Sequence, residues 1–156
     1  MGYTKKLESH KLKFIRLSTY TKQKEIKTLK NSDSKEKALK AANTAVDKKA
    51  ADTVILELKD LSTITDYFII CTGENPAQIK AISEAIKEGF QKQNISPIGV
   101  EGLKFARWVL MDYGDLIVHI FSREARDFYE LERFWIDAPS IPFEEKKKIS
   151  RRPART

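Results

Sequence analysis

Between residues 34 and 143 the sequence predicts an α/β fold, a mixed β-sheet with flanking helices in a single domain, since helical and extended segments follow one another as α-β-β-α-β-β-α. Three observations carry this. Three segments repeat apolar residues at spacings of three and four, two apolar β-branched runs are separated by one short loop, and two alternating runs are joined by Gly114-Asp115.

The first helix is expected from about 34 to 49, because Asp33 followed by Glu36 reads as a capping box and Ala38, Leu39, Ala42, Ala45 and Val46 fall at helical spacing. Thr53 to Leu58 (TVILEL) has the β-branched, apolar character of an inner strand, and Asp66 to Thr72 (DYFIICT) forms a neighbouring one. Gly73 breaks the pattern. Asn75 can cap a helix and Pro76 suits its first position, with Ile79, Ile82, Ile86 and Phe90 forming an apolar stripe down to about Lys92. Pro97 to Gly102 (PIGVEG) is a connector with room for a very short strand.

Trp108 to Tyr113 and Leu116 to Phe121 are alternating runs around a two-residue loop, which predicts a tight hairpin pairing Tyr113 with Leu116, Met111 with Val118 and Val109 with Ile120. One face of this hairpin is wholly apolar. The other carries Trp108, Leu110 and Asp112 beside Phe121, His119 and Ile117, placing His119 across from Leu110 and diagonal to Asp112. A last helix is expected over Arg123 to Trp135, with Phe128, Leu131 and Trp135 as its apolar stripe, and Pro139 and Pro142 end regular structure.

The net charge of +7 is unevenly distributed along the chain. Residues 1–33 carry nine Lys or Arg against three acids and residues 144–156 carry six against two, so the 34–143 domain is itself acidic. We read 1–33 as a basic extension and 144–156 as a basic tail, both suited to nonspecific, salt-sensitive contacts with nucleic acid or another anionic surface, or to no dedicated partner. No run of 18 apolar residues occurs and no secretory signal is expected, so no membrane association is foreseen. The lone Cys71 sits in an apolar run, where a thiol is a small hydrophobe suited to a reducing compartment.

Asp112 and His119 are the candidate acid and base, but without a nucleophile that can be placed beside them they read as a polar pair stitching two strands. His10 lies in the extension and no metal-ligand spacing occurs, so neither metal nor cofactor is expected. Thr72-Gly73-Glu74-Asn75 joins a strand to a helix N-terminus that could attract an anion, yet one glycine is a weak signal and Glu74 would repel phosphate. Trp108, Tyr113, Phe128, Tyr129 and Trp135 are many aromatics for the size, and Trp108 with Leu110 on one hairpin face suggests an interaction surface.

The blocks Ala51 to Gly73, Glu101-Gly102, Trp108 to Phe121 (WVLMDYGDLIVHIF), Arg126 to Trp135 (RDFYELERFW) and Asp137-Ala138-Pro139 resemble, in order and spacing, the ribosomal silencing factor RsfS/Iojap family over about 34–140. The resemblance implies a non-enzymatic protein with a nucleotidyltransferase-like fold, cytoplasmic or alternatively organellar. It would bind ribosomal protein fourteen of the large ribosomal subunit, block joining of the small subunit, repress translation, and form homodimers when free; organelle members are linked to large-subunit assembly. Carried over by motif, the docking surface comprises Trp108, Leu110, Asp112 and Tyr113, with Glu101, His119, Arg126 and Tyr129 as further candidates that include architectural roles. This chain departs from the family pattern in having Asn75 where a Ser is usual, and in its 1–33 extension. Glu8, Glu25 and a preference for Lys over Arg speak against an organellar targeting segment there; an arm making nonspecific contacts with ribosomal RNA, as for the basic C-terminal tail, and an overcalled start are the alternatives. The competing expectation from the same fold is a metal-dependent nucleotidyltransferase or nucleotide-binding protein. That chemistry needs a Gly-Ser turn and metal-spaced carboxylates, whereas Gly73 is followed by Glu74, and Asp112 and Asp115 are expected on different faces.

Overall fold

In this computed structural model residues 31–144 are described, so the greater part of the basic extension and tail lies outside them. The chain runs α1 (Asn31–Asp47), β1 (Ala51–Glu57), β2 (Tyr67–Gly73), α2 (Pro76–Gln91), β3 (Gly99–Glu101), β4 (Trp108–Asp112), β5 (Leu116–Ser122) and α3 (Arg123–Tyr129), followed by a 3-10 segment, Leu131–Trp135. The five strands form one mixed sheet in the order β1-β2-β5-β4-β3. β2 and β5 are parallel and every other neighbouring pair is antiparallel. The α/β class is therefore as expected. The parallel pairing of β2 with β5 needs a crossover, and α2 supplies it.

Residues of alternating parity on each strand face opposite layers. Ile55, Tyr67, Ile69, Cys71, Val109, Met111, Val118 and Ile120 pack under α1 and α2, meeting Ala38, Ala42 and Ala45 from one helix and Ile79, Ile82, Ile86 and Phe90 from the other. The row of alanines on α1 lets that helix approach the sheet closely, while α2 fills its groove with isoleucine. The opposite layer gathers Leu56, Phe68, Ile70, Leu110, Ile117 and Phe121 against Ala125 of α3, Leu131 and Trp135.

Three expectations are corrected. α1 begins at Asn31, ahead of the expected capping box, so Asp33 lies inside the helix and pairs with Lys37 one turn on. β1 is terminal in the ladder rather than inner, although its outer edge is covered. The Glu57 amide donates to the Pro139 carbonyl and the Ile141 amide to the Ile55 carbonyl, so the C-terminal segment runs beside it. The single helix expected over 123–135 is two, because Glu130 takes left-handed angles (φ 44°, ψ 49°) and closes α3 with its amide on the Arg126 carbonyl. That break turns Phe128 outward, where it is 53% exposed, and Leu131 into the core.

Candidate functional site

The hairpin register is the expected one: Val109 pairs with Ile120, Leu110 with His119, Met111 with Val118 and Asp112 with Ile117. Glu101 of β3 lies beside Leu110 and Ile70 of β2 beside His119, so Glu101, Leu110, His119 and Ile70 form one row across the sheet. Strand pleating puts Trp108 and Asp112 on the same face. Trp108 is the centre of an aromatic cluster, its ring stacked on Phe121 (centroids 4.8 Å apart) and tilted against Tyr129 at 4.8 Å. The indole N–H donates to Nδ1 of His119 at 3.1 Å, which assigns the imidazole proton to Nε2. The imidazole is fully buried, edge-on to Phe68 at 4.6 Å.

Asp112 has its own partner, accepting the Gly114 amide at 2.8 Å through Oδ1 and so fixing the turn. Burial pushes its carboxyl above the usual carboxylate range, and the charge of Glu101 adds to this while the Gly114 hydrogen bond opposes it. These bonds make Asp112 and His119 two anchors of one hairpin face, each bonded to a neighbour of its own. Leu110 and Asp112 are buried, with Trp108, Tyr129 and Glu101 half-buried around them.

Two of the eight expected residues are placed elsewhere. Tyr113 lies in the layer under α2, its ring 4.7 Å edge-on from Phe90, and burial raises its phenol to about 12. Arg126 is buried beneath α3, donating from Nη1 to the Asp52 carbonyl (2.7 Å) and the Thr72 hydroxyl (2.9 Å), and from Nε and Nη2 to Oε1 of Glu132. It ties α3 to β1, β2 and the 3-10 segment. Beside it, Arg123 pairs with Asp52 at the surface, which holds the Asp52 carboxyl below its usual range.

The strand-to-helix turn at 73–75 is held by its own side chains. The Asn75 carboxamide accepts the Gln78 amide, and the Gln78 side chain accepts the Glu74 amide and donates to the carbonyls of Lys48 and Lys49. A Cβ on Gly73 would sit 2.6 Å from Cγ1 of Ile79, so the glycine serves the packing of α2 on β2. Asp115 bonds Lys37 of α1 at 3.0 Å, away from Asp112. Among the described residues no three His, Cys, Asp or Glu side chains are grouped as a metal site, and no helix is long and apolar enough to cross a membrane.

The loop at 102–107, which spacing along the sequence does not mark, presents Leu103 and Phe105 to solvent beside this face. The signal in the sequence is an aromatic residue flanked by Lys104 and Arg107 directly after a glycine.

The family described as "Ribosomal silencing factor during starvation" matches residues 31–156. The chain is 43% identical over 104 residues to the ribosomal silencing factor RsfS of Halalkalibacterium halodurans, spanning 67% of this chain and 89% of that protein. It is 37% identical over 113 residues to the chloroplastic protein Iojap of Zea mays (71% of this chain, 49% of that one). It is 27% identical over 89 residues to the mouse protein named mitochondrial assembly of ribosomal large subunit protein 1 (55% and 39%). A crystal structure from Bacillus halodurans aligns with a TM-score of 0.59 at 40% identity, covering 66% of this chain and 93% of that one. One from Chromobacterium violaceum gives 0.64 at 28%, covering 72% and 95%. With the family matched over the whole described domain and the same fold found in solved structures, the chain belongs to the ribosomal silencing factor RsfS/Iojap family.

Proposed function

We propose that this protein represses translation by docking on the large ribosomal subunit at ribosomal protein fourteen and excluding the small subunit by bulk, with no catalysis of its own. The observation that carries the reading is the convergence of Glu101, Trp108, Leu110, Asp112, His119 and Tyr129 on one face at the β3–β4–β5 side of the sheet. Half-buried Trp108 and Tyr129 offer apolar area on a rigid support, Glu101 supplies a charge at their margin, and Leu110 and Asp112 form the floor. An aromatic centre with a charged rim is the composition of a protein-binding hot spot. Tyr113 contributes from the opposite layer and Arg126 from the β1–β2 side of the same face, by holding the hairpin and α3 in place. The name of the mouse relative fits an accompanying role in large-subunit assembly, and a homodimer is the expected free form. The site of action is the ribosome-bearing compartment, the cytoplasm or an organelle.

Sedimentation with purified subunits tests this. The parent should travel with large subunits and lower the yield of joined ribosomes, and Glu101→Lys should weaken that binding about tenfold or more without lowering thermal stability. Binding to small subunits, or to neither, would refute the reading.

A further inference from the structure

The loop between β3 and β4 has a fixed shape and an unusual surface. Gly102 takes φ +87°, and a Cβ there would fall 2.0 Å from the Trp108 carbonyl oxygen, so only glycine lets the chain pass. Ala106 is also left-handed at φ 48°, is buried, and donates its amide to the Gly102 carbonyl at 3.0 Å. The Arg107 carbonyl accepts the Ser122 amide at 2.8 Å, which fastens the far end of the loop to β5. Between these fixed points Phe105 is held 72% exposed, with the Lys104 ammonium 5.5 Å from its ring centroid and Arg107 exposed two residues on. No acid occurs from Gly102 to Arg107.

The face beside the loop has the opposite character, apolar with the carboxylates of Glu101 and Asp112. A loop that offers an aromatic ring and two cations fits a base with its flanking phosphates better than it fits the basic or apolar surface its neighbour face would recognise. We propose that the 102–107 loop is a contact for single-stranded RNA, in which Phe105 stacks on one base while Lys104 and Arg107 hold the phosphates on either side. The lysine already covers one face of the ring, so the base takes the other. Because both ends of the loop are fixed, little conformational freedom is lost on binding. The contact goes beyond the docking reading and is tested apart from it.

The test is fluorescence anisotropy of the full chain with a labelled single-stranded RNA of about twelve nucleotides, at rising salt so that contributions from the basic ends are screened. At high salt Phe105→Ala and Phe105→Leu should each weaken binding about tenfold, and Phe105→Trp should bind at least as well as the parent, because stacking needs a ring. Lys104→Ala with Arg107→Ala should reduce the dependence of log K on log salt by about 1.4, two phosphate contacts on a single strand. Phe105 is exposed, so these variants fold. A parent that binds no oligonucleotide, or a Phe105→Leu variant that binds as well as the parent, overturns the proposal. If Phe105→Leu keeps its RNA affinity and only Phe105→Ala loses large-subunit binding, the loop is an apolar protein contact instead. A parent that sediments with large subunits yet binds no RNA oligonucleotide overturns the RNA contact and leaves the docking reading standing.

Discussion

Replacing Arg126 by Ala separates support from contact. The side chain is 9% exposed and makes four hydrogen bonds to three partners on different elements. Its removal leaves the Thr72 hydroxyl and the Asp52 carbonyl without this donor, at about 1 kcal/mol each. The ion pair with Glu132 adds less than a buried pair would, because the carboxylate side is 39% exposed and water resolvates it, so we assign it about 1 kcal/mol. Lost packing of the aliphatic stem adds a little under 1 kcal/mol. The sum is about 3–4 kcal/mol, or roughly 10–20 °C in Tm for a domain of this size. Urea denaturation followed by circular dichroism should show a lower midpoint with an unchanged m-value, and Arg126→Lys, which keeps the charge but not the fork, should lose about half as much. Where Arg126→Ala is still folded, its binding to large subunits should lie within about twofold of the parent, because the guanidinium is buried on the β1–β2 side of the sheet, to one side of the docking residues. A variant as stable as the parent to within about 0.5 kcal/mol yet unable to dock would refute this, and would place Arg126 at the interface.

Three further outcomes follow from the same geometry. The Asp112 carboxyl is raised by burial, so the folded state favours its neutral form; that contribution to stability is complete below the unfolded pKa and lost as pH rises through the folded value. Asp112→Asn keeps an acceptor for the Gly114 amide and should unfold at higher urea than the parent at pH 7, the difference closing toward pH ~3.5; a less stable variant at pH 7 would contradict the argument. The Tyr113 hydroxyl is buried with no hydrogen-bond partner among the described residues, so Tyr113→Phe should be neutral or up to about 1 kcal/mol more stable and should dock normally; a destabilised variant would mean the hydroxyl is satisfied in solution. Burial pushes the Cys71 thiol up to about 12, so Ellman's reagent at pH 8 should react only as fast as the protein unfolds, and rapid labelling without denaturant would show the sheet core to be open.

What could be read from the sequence was whatever local spacing determines. Gly114-Asp115 between alternating runs fixes the hairpin, since a shift of one residue would send Val109, Met111, Val118 and Ile120 to the wrong layer. Asn75 and Pro76 likewise mark the start of α2 without help from the rest of the chain. The break after Tyr129 could not be read this way, because Glu carries no preference for left-handed angles and the stripe Phe128, Leu131, Trp135 suits an unbroken helix. The reason for the break is tertiary: six residues apart on a straight helix, Arg126 and Glu132 would point to different sides, and their bond requires the bend at Glu130. At the candidate site the face shared by Trp108, Leu110 and Asp112 was legible from strand alternation. The separation of Tyr113 was legible by the same rule, but its motif groups it with its neighbours in sequence. The exposure of Phe105 depends on two left-handed residues, and for Ala106 no local signal exists.

The segment that runs along β1 has a consequence for growth. With Pro139 and Ile141 bonded to its backbone, β1 offers little to another strand, and Pro139 and Pro142 lack the amides that would continue the pattern. At the other margin β3 ends the ladder with three residues. Among the described residues the sheet therefore has a valency of one: a strand added at β3 closes the margin left open there, and two copies joined at it would form a finite pair instead of a filament.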